Sequence, residues 1–157
     1  GKYFAYMNYG ITPDIVSTAK GLAGGLPMGA VLFGEKLKDT VTPGSHGSTF
    51  GGNPIAAAGA ISIVERIDDK FLNEVAAKGD YIRDYLGKIK GVKSISGMGL
   101  MLGIETEKPA KEIAAECLER GLLVLTAKTK IRLLPALNIS KNELDKGLNI
   151  LKEVIEK

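Results

Sequence analysis

The chain has 157 residues and a formal net charge of +3, with 45% hydrophobic and 25% charged residues. That length suits one domain, or one small domain with a piece of a larger one. The 21 basic residues are scattered among 18 acidic ones, which argues against a nucleic-acid surface. No apolar run is long enough to span a bilayer and no signal peptide is visible. We therefore expect a cytoplasmic protein without nucleic-acid or membrane partners.

Cysteine occurs once, at Cys117, which excludes an intrachain disulfide and is compatible with a reducing compartment. Cys117 lies in a helical pattern, where cysteine behaves as a small hydrophobic residue. We predict a structural role for it, and no metal site in the chain.

The first 52 residues are rich in glycine and poor in long periodic segments. Residues 14–17 are predicted to form a short buried strand, and residues 29–34 a fully buried strand bounded by glycines. A run of turn residues separates the two. A short amphipathic segment over residues 35–41 and a loop over residues 42–52 follow.

Two helices come next. Asn53 can cap the free amides of a helix, and Pro54 suits the first helical position, so a helix is predicted to continue over residues 55–66. Apolar residues at helical spacing predict a second helix over residues 71–89.

After residue 90 strands and helices alternate. The predicted strands are residues 92–96, 100–105, 122–125 and 130–134. A helix is predicted over residues 109–119, ending at Gly121. Ser140 and Glu143 form a capping box that opens a last amphipathic helix. These residues predict a compact α/β unit, and residues 1–52 the edge of a different domain. Because the chain opens at Gly1 without Met, we expect it to be part of a longer protein.

Lys20 is the first candidate for chemistry. It follows an apolar run and precedes Gly21, Gly24 and Gly25, which allow close backbone approach to a ligand. A lysine held against an apolar wall can lose its proton and attack carbonyl groups. On local chemistry alone, however, a solvated loop lysine is the commoner interpretation.

Three segments, in order, resemble the class III (ornithine-type) aminotransferases, which depend on pyridoxal 5'-phosphate. Residues 13–30 (PDIVSTAKGLAGGLPMGA) resemble the cofactor-lysine segment, residues 46–54 (HGSTFGGNP) the phosphate-contacting loop and following helix, and residues 131–137 (IRLLPAL) the carboxylate-binding arginine strand. The resemblance implies an α/β chain from the C-terminal part of a fold type I transferase. Residues 1–52 would be the edge of the large cofactor-binding domain, residues 53–69 a connecting helix, and residues 70–157 the small C-terminal α/β domain.

Site residues follow from the same resemblance. Lys20 would hold the cofactor as a Schiff base and then shuttle a proton during catalysis. Ser48 and Thr49 would bind the cofactor phosphate, Thr49 from the partner subunit of a homodimer. Arg132 would pair with a substrate carboxylate, for which its planar guanidinium is suited. His46, the single histidine, would have a structural role in its loop.

The resemblance also implies the reaction. An amino group would pass from N-acetylornithine, or a similar ω-amino donor, to 2-oxoglutarate, in arginine biosynthesis. Ornithine, succinylornithine and 4-aminobutyrate are alternative donors. An aminomutase, a racemase and a non-catalytic folded module are alternative functions. One departure is Ser96, which stands where an arginine is common and puts any charge role there in doubt. Ala136, where proline is usual, is a minor change.

We predict that this polypeptide by itself binds pyridoxal phosphate weakly and does not transaminate. In the enzymes it resembles, the acidic partner of the pyridine nitrogen, a glycine-rich phosphate loop and a stacking aromatic ring all lie upstream of the matching segments. Without the pyridine partner the ring is a poor electron sink. Titration of the purified chain with cofactor, followed by absorbance, tests this prediction. A tight stoichiometric complex with turnover would contradict it.

Overall fold

The computed structural model describes all 157 residues and has four α-helices and six strands. In chain order they are β1 (Ile15–Thr18), β2 (Ala30–Phe33), α1 (Pro54–Val64), α2 (Asp69–Leu86), β3 (Val92–Met98), β4 (Met101–Thr106), α3 (Ala110–Glu119), β5 (Leu125–Ala127), β6 (Lys130–Leu133) and α4 (Lys141–Glu156). Short 3-10 helices cover Ala5–Tyr9, Lys20–Ala23 and Glu35–Leu37. None of the helices is both long and apolar enough to cross a membrane.

The chain divides into two compact units, Lys2–Leu72 and Asn73–Lys157, the second including Gly1. In the first unit β1 and β2 pair antiparallel, with Ile15 opposite Phe33 and Thr18 opposite Ala30. The prediction of buried strands here is wrong. Ile15 is 56% exposed and Phe33 47% exposed, because no second layer of this unit covers the two-stranded ribbon.

Helix α1 begins as predicted. The Asn53 side chain accepts hydrogen bonds from the amides of Ile55 and Ala56, and Pro54 occupies the first turn. The helix ends at Val64, two residues before the predicted end, where the amide of Arg66 bonds to the carbonyl three residues back. Such tightening is common in a last turn. Helix α2 begins two residues earlier than predicted.

The second unit is built on an antiparallel sheet in the order β3-β4-β6-β5. Side chains alternate across it, so that Leu102, Ile104 and Thr106 of β4 are buried, as is Ile131 of β6. The apolar faces of the helices complete the core, which includes Ile82, Leu86, Ile113, Cys117, Leu148, Leu151 and Val154. Cys117 is fully buried, as predicted for a small core residue.

The strand predicted over residues 122–125 is wrong, since β5 begins only at Leu125. Gly121 has φ +81°, and its amide bonds to the carbonyl of Leu118, while the amide of Leu122 bonds to that of Cys117. This is a Schellman motif, so Leu122 belongs to the end of α3. The capping box at Ser140 and Glu143 is confirmed: the Ser140 Oγ accepts from the Glu143 amide at 3.2 Å, and the Glu143 carboxylate from the Ser140 amide.

Helix α2 approaches the β3–β4 turn without a side chain between them. A side-chain carbon at Gly79 would lie 2.5 Å from the carbonyl oxygen of Gly99. We expect Gly79→Ala to lower the free energy of unfolding by about 1–3 kcal/mol, because two backbones would have to separate. Chemical denaturation measures this.

Gly147→Ala in α4 is the matched control, since a carbon there would meet only the flexible end of Leu122, at 3.3 Å. Its effect should stay below about 1 kcal/mol, helped by the better helix propensity of alanine. Equal stabilities of the two variants would contradict the close-approach argument.

Candidate active site

Lys20 opens a 3-10 turn directly after β1. Its backbone has φ +56°, one of two positive values outside glycine, and its side chain is exposed. The turn closes at Gly24, whose φ is +65° and whose amide donates to the Gly21 carbonyl. A non-glycine residue in the left-handed region costs on the order of 1 kcal/mol and is enriched at functional sites. The strained residue in this turn is therefore the lysine that the sequence singled out.

Helix α1 packs directly against one side of the Lys20 turn. Ala23, the last residue of the turn, is 2% exposed. A side-chain carbon at Gly59 of α1 would lie 2.8 Å from the Ala23 carbonyl oxygen, so the helix touches the turn backbone directly. A carbon at Gly24 would lie 3.3 Å from the Ile63 side chain. The turn thus rests on a helix, with the lysine on its free side.

Ser48 and Thr49 lie in an exposed turn just before α1. The Gly51 amide donates to the Ser48 carbonyl, and Gly52 has φ +70°. Ser48 lines a cavity of about 320 Å³ between this loop and residues 27–29, whereas neither Thr49 nor Lys20 lines it. Both hydroxyls are accessible to a ligand. His46 is exposed in the same loop, and the structure gives it no hydrogen-bond partner.

Arg132 lies on β6 of the other unit, opposite Gly103 of β4 and Leu125 of β5. Its side chain is half-buried, and its Nε atom is buried without a hydrogen-bond partner. Buried polar atoms normally have partners. Arg132 also lines an apolar cavity of about 290 Å³ whose other walls are mainly leucines.

The class-III aminotransferase family profile matches residues 1–155. The chain belongs to the class-III aminotransferases. The resemblance found in the three sequence segments is thereby confirmed.

Two similar curated proteins are both named acetylornithine aminotransferase. Acetylornithine aminotransferase of Haemophilus ducreyi is 45% identical over 157 residues, covering 99% of this chain and 40% of that protein. The Aquifex aeolicus protein of the same name is 40% identical over 156 residues, covering 99% of this chain and 41% of its own length. The class-III chain thus spans about two fifths of the length of these curated relatives.

Solved structures agree. Acetylornithine aminotransferase from Elizabethkingia anophelis superposes with a TM-score of 0.83 at 31% identity, over 98% of this chain and 43% of that one. Ornithine delta-aminotransferase of Plasmodium falciparum gives 0.81 at 30% identity, over 96% and 42%. The predicted fold, an α/β C-terminal portion of a fold type I transferase, is confirmed by this likeness.

One polar cluster of the class-III chain escaped the sequence analysis. The Tyr81 hydroxyl of α2 donates to Asp145 Oδ1 of α4 at 2.6 Å, and Lys141 Nζ lies 2.7 Å from Asp145 Oδ2 and 4.7 Å from the Tyr81 ring centroid. One turn further along, the Tyr85 hydroxyl donates to Asn149 at 2.5 Å. The sequence did carry a signal for this cluster, because Tyr81 and Tyr85 lie four residues apart on α2, as do Asp145 and Asn149 on α4, so that each pair shares one helix face.

Hydrogen bonding shifts the titration of this cluster. The bond to Asp145 raises the pKa of Tyr81, and the bonds from Lys141 and Tyr81 lower the pKa of Asp145. The same carboxylate raises the pKa of Lys141. Because the pKa of Asp145 is lowered, this carboxylate adds stability above its ordinary pKa, and that stability is lost as the pH falls through the lowered pKa. Because the pKa values of Tyr81 and Lys141 are raised, these groups add stability below their ordinary pKa values, and that stability is lost as the pH rises through the raised ones. The cluster therefore links α2 and α4 at neutral pH and weakens in strong acid or alkali.

We expect Asp145→Asn to lower the pKa of Tyr81 towards its ordinary value, because the charged acceptor of the phenol proton is gone. Tyrosinate absorbance against pH measures this, with Tyr81→Phe identifying the signal. Glu153→Gln removes a carboxylate of the same helix that bonds to Arg120 instead, and should leave Tyr81 unchanged. An equal shift in both variants would show a general charge effect.

Proposed function

We propose that this chain carries the Schiff-base lysine of a pyridoxal-phosphate-dependent aminotransferase, and that the lysine is Lys20. The observation that carries the proposal is the strained, exposed turn that Lys20 opens, in a chain of the class-III family. Residues 1–52 would form the edge of the large cofactor-binding domain, residues 53–69 the connecting helix, and residues 70–157 the small domain.

The residues around Lys20 fit the cofactor. The amine is free on the open side of a turn backed by α1, where it can join an aldehyde carbon. When bound, pyridoxal phosphate supplies an electron sink for the carbon that loses its proton. The Lys20 amine would act as the base that removes this proton from the substrate carbon, and the resulting ammonium would act as the acid that gives the proton back.

Ser48 and Thr49 suit the phosphate. Their hydroxyls are exposed in a glycine-rich turn, where hydroxyls and free amides together bind anions. The cavity that Ser48 lines includes neither Thr49 nor Lys20. As the resemblance implies, we propose that the exposed hydroxyl of Thr49 serves the site of the second subunit of a homodimer.

Arg132 suits a substrate carboxylate. Its buried Nε has no acceptor within the chain, so a planar carboxylate that accepts from Nε and a terminal nitrogen would remove an unpaired group. We assign Arg132 to orienting the substrate at the reacting carbon. Together with membership of the aminotransferase family, this role supports an amino acid and a 2-oxo acid as the substrates.

The names of the relatives favour N-acetylornithine as the amino donor. With it we propose 2-oxoglutarate as the acceptor and a place in cytoplasmic arginine biosynthesis, as the resemblance of the three sequence segments implies. Ornithine is the alternative donor that similar solved structures support. Succinylornithine and 4-aminobutyrate also remain to be compared in the assay.

The test uses a full-length protein that carries these residues. After cofactor loading and borohydride reduction, we expect the stable cofactor adduct on the peptide containing Lys20. Lys20→Ala should lose this adduct and lower kcat by roughly a hundred- to ten-thousandfold, since the proton carrier is gone. Lys36→Ala, an exposed lysine paired with Asp14, is the control and should change neither.

Among the four donors, N-acetylornithine should give the highest kcat/KM with 2-oxoglutarate. An adduct on another lysine, or full activity of Lys20→Ala, would refute the assignment of Lys20. A higher kcat/KM for ornithine would refute the donor assignment alone.

A further inference from the structure

Lys20 has a backbone conformation that lysine does not favour. Its φ of +56° lies in the left-handed region, where the Cβ atom of an L residue is too close to the following carbonyl oxygen. Gly24, at the end of the same turn, has a similar φ of +65°, which glycine adopts without steric strain. A strained residue persists only where the surrounding structure fixes its backbone. The positive φ of Lys20 therefore needs a physical cause.

The hydrogen bond that closes over Lys20 is not that cause. The Leu22 amide donates to the Ala19 carbonyl at 3.3 Å, so that Lys20 and Gly21 are the two central residues of a tight turn. A bond between residues three apart forms with either a right-handed or a left-handed residue at the first central position. The local bond thus permits both signs of φ, and the choice between them depends on the packing of the turn.

One face of α1 packs against the end of this turn. Gly59 and Ile63 are four residues apart and so lie on the same side of the helix. A side-chain carbon at Gly59 would lie 2.8 Å from the carbonyl oxygen of Ala23, which is buried, and a carbon at Gly24 would lie 3.3 Å from the Ile63 side chain. The helix therefore fixes the third and fourth residues after Lys20 by direct contact.

We infer that Gly59 and Ile63 are positioning residues for the amine of Lys20. By fixing Ala23 and Gly24 they keep the Lys20 backbone left-handed, and this backbone directs the side chain to the exposed side of the turn. Release of these contacts lets φ return to negative values, which points the Cα–Cβ bond in another direction. The inference rests on the proposed role of Lys20 as the Schiff-base lysine. Gly59 and Ile63 act on the chemistry only through the backbone of the turn.

The first experiment measures the Lys20 backbone in the isotope-labelled 157-residue chain, without cofactor. The coupling between its amide and Hα protons, with its Cα and Cβ chemical shifts, distinguishes positive from negative φ. Gly59→Ala should shift these values towards those of a right-handed residue, because the added carbon displaces the Ala23 carbonyl. Ile63→Val, which removes only the Cδ1 atom facing Gly24, should shift them less in the same direction. Gly147→Ala, in α4, is the control and should leave Lys20 unchanged.

The second experiment uses a full-length protein that carries these residues, loaded with cofactor. After borohydride reduction the adduct should remain on Lys20 in Gly59→Ala and in Ile63→Val. Gly59→Ala should lower kcat roughly ten- to a hundredfold, the loss expected when a reacting group is misplaced by about 1 Å. KM for the amino donor should change less than about twofold, because Arg132 is untouched. The pH dependence of the absorbance of the lysine-bound cofactor should also shift, since a displaced amine has different surroundings.

The outcomes separate the inference from the proposed function. If Gly59→Ala leaves the Lys20 couplings, the pH dependence and kcat unchanged while the adduct stays on Lys20, the role of α1 is refuted. Equal changes in Gly147→Ala refute it too, because they show a general loss of stability. If Gly59→Ala does not fold, Ile63→Val decides by the same measurements. An adduct on another lysine overturns the proposed function instead.

Discussion

Direct contact between a helix backbone and a neighbouring turn is the constraint on which both units depend. In the first unit, Gly59 of α1 lets the helix touch the carbonyl of Ala23 at the end of the Lys20 turn. In the second, Gly79 of α2 does the same for Gly99 between β3 and β4. Since interiors are close-packed, a single added carbon at either place would displace a backbone segment. The geometry of Lys20 is thus set by the absence of a side chain on another element.

The sheet of the second unit separates stability from recognition. One face is apolar and covered by helices, with Ile104 and Ile131 fully buried. The other face carries the polar and charged side chains, among them Arg132 and Lys130. Because side chains alternate strictly along a strand, adjacent residues such as Ile131 and Arg132 serve opposite purposes. The buried face therefore fixes the position of the strand that carries Lys130 and Arg132, while neither side chain forms an ion pair within the chain.

Elements with strong local signals were predicted well. The Asn53 cap and the capping box of α4 depend on residues within three positions of each other, and the structure has both. Strand burial was predicted poorly, since apolar composition in β1 and β2 does not say whether another layer covers them. Leu122 was misassigned because the Schellman motif at Gly121 uses its amide for the end of α3. The link between Tyr81 and Asp145 joins residues 64 positions apart, which helical spacing alone does not pair.

The sequence by itself determined the family, the α/β succession, the helix caps and the identity of Lys20, Ser48, Thr49 and Arg132 as candidates. These features depend on residues that are close together in the sequence, and neighbouring residues constrain one another directly. Only the tertiary structure decided that Lys20 takes a left-handed backbone conformation in a turn that packs against α1. The same holds for the Nε of Arg132, which lacks a partner, and for Lys130, which reaches Ser96 across Gly103. Each of these depends on strands or helices distant in sequence, whose register and close approach arise only from packing.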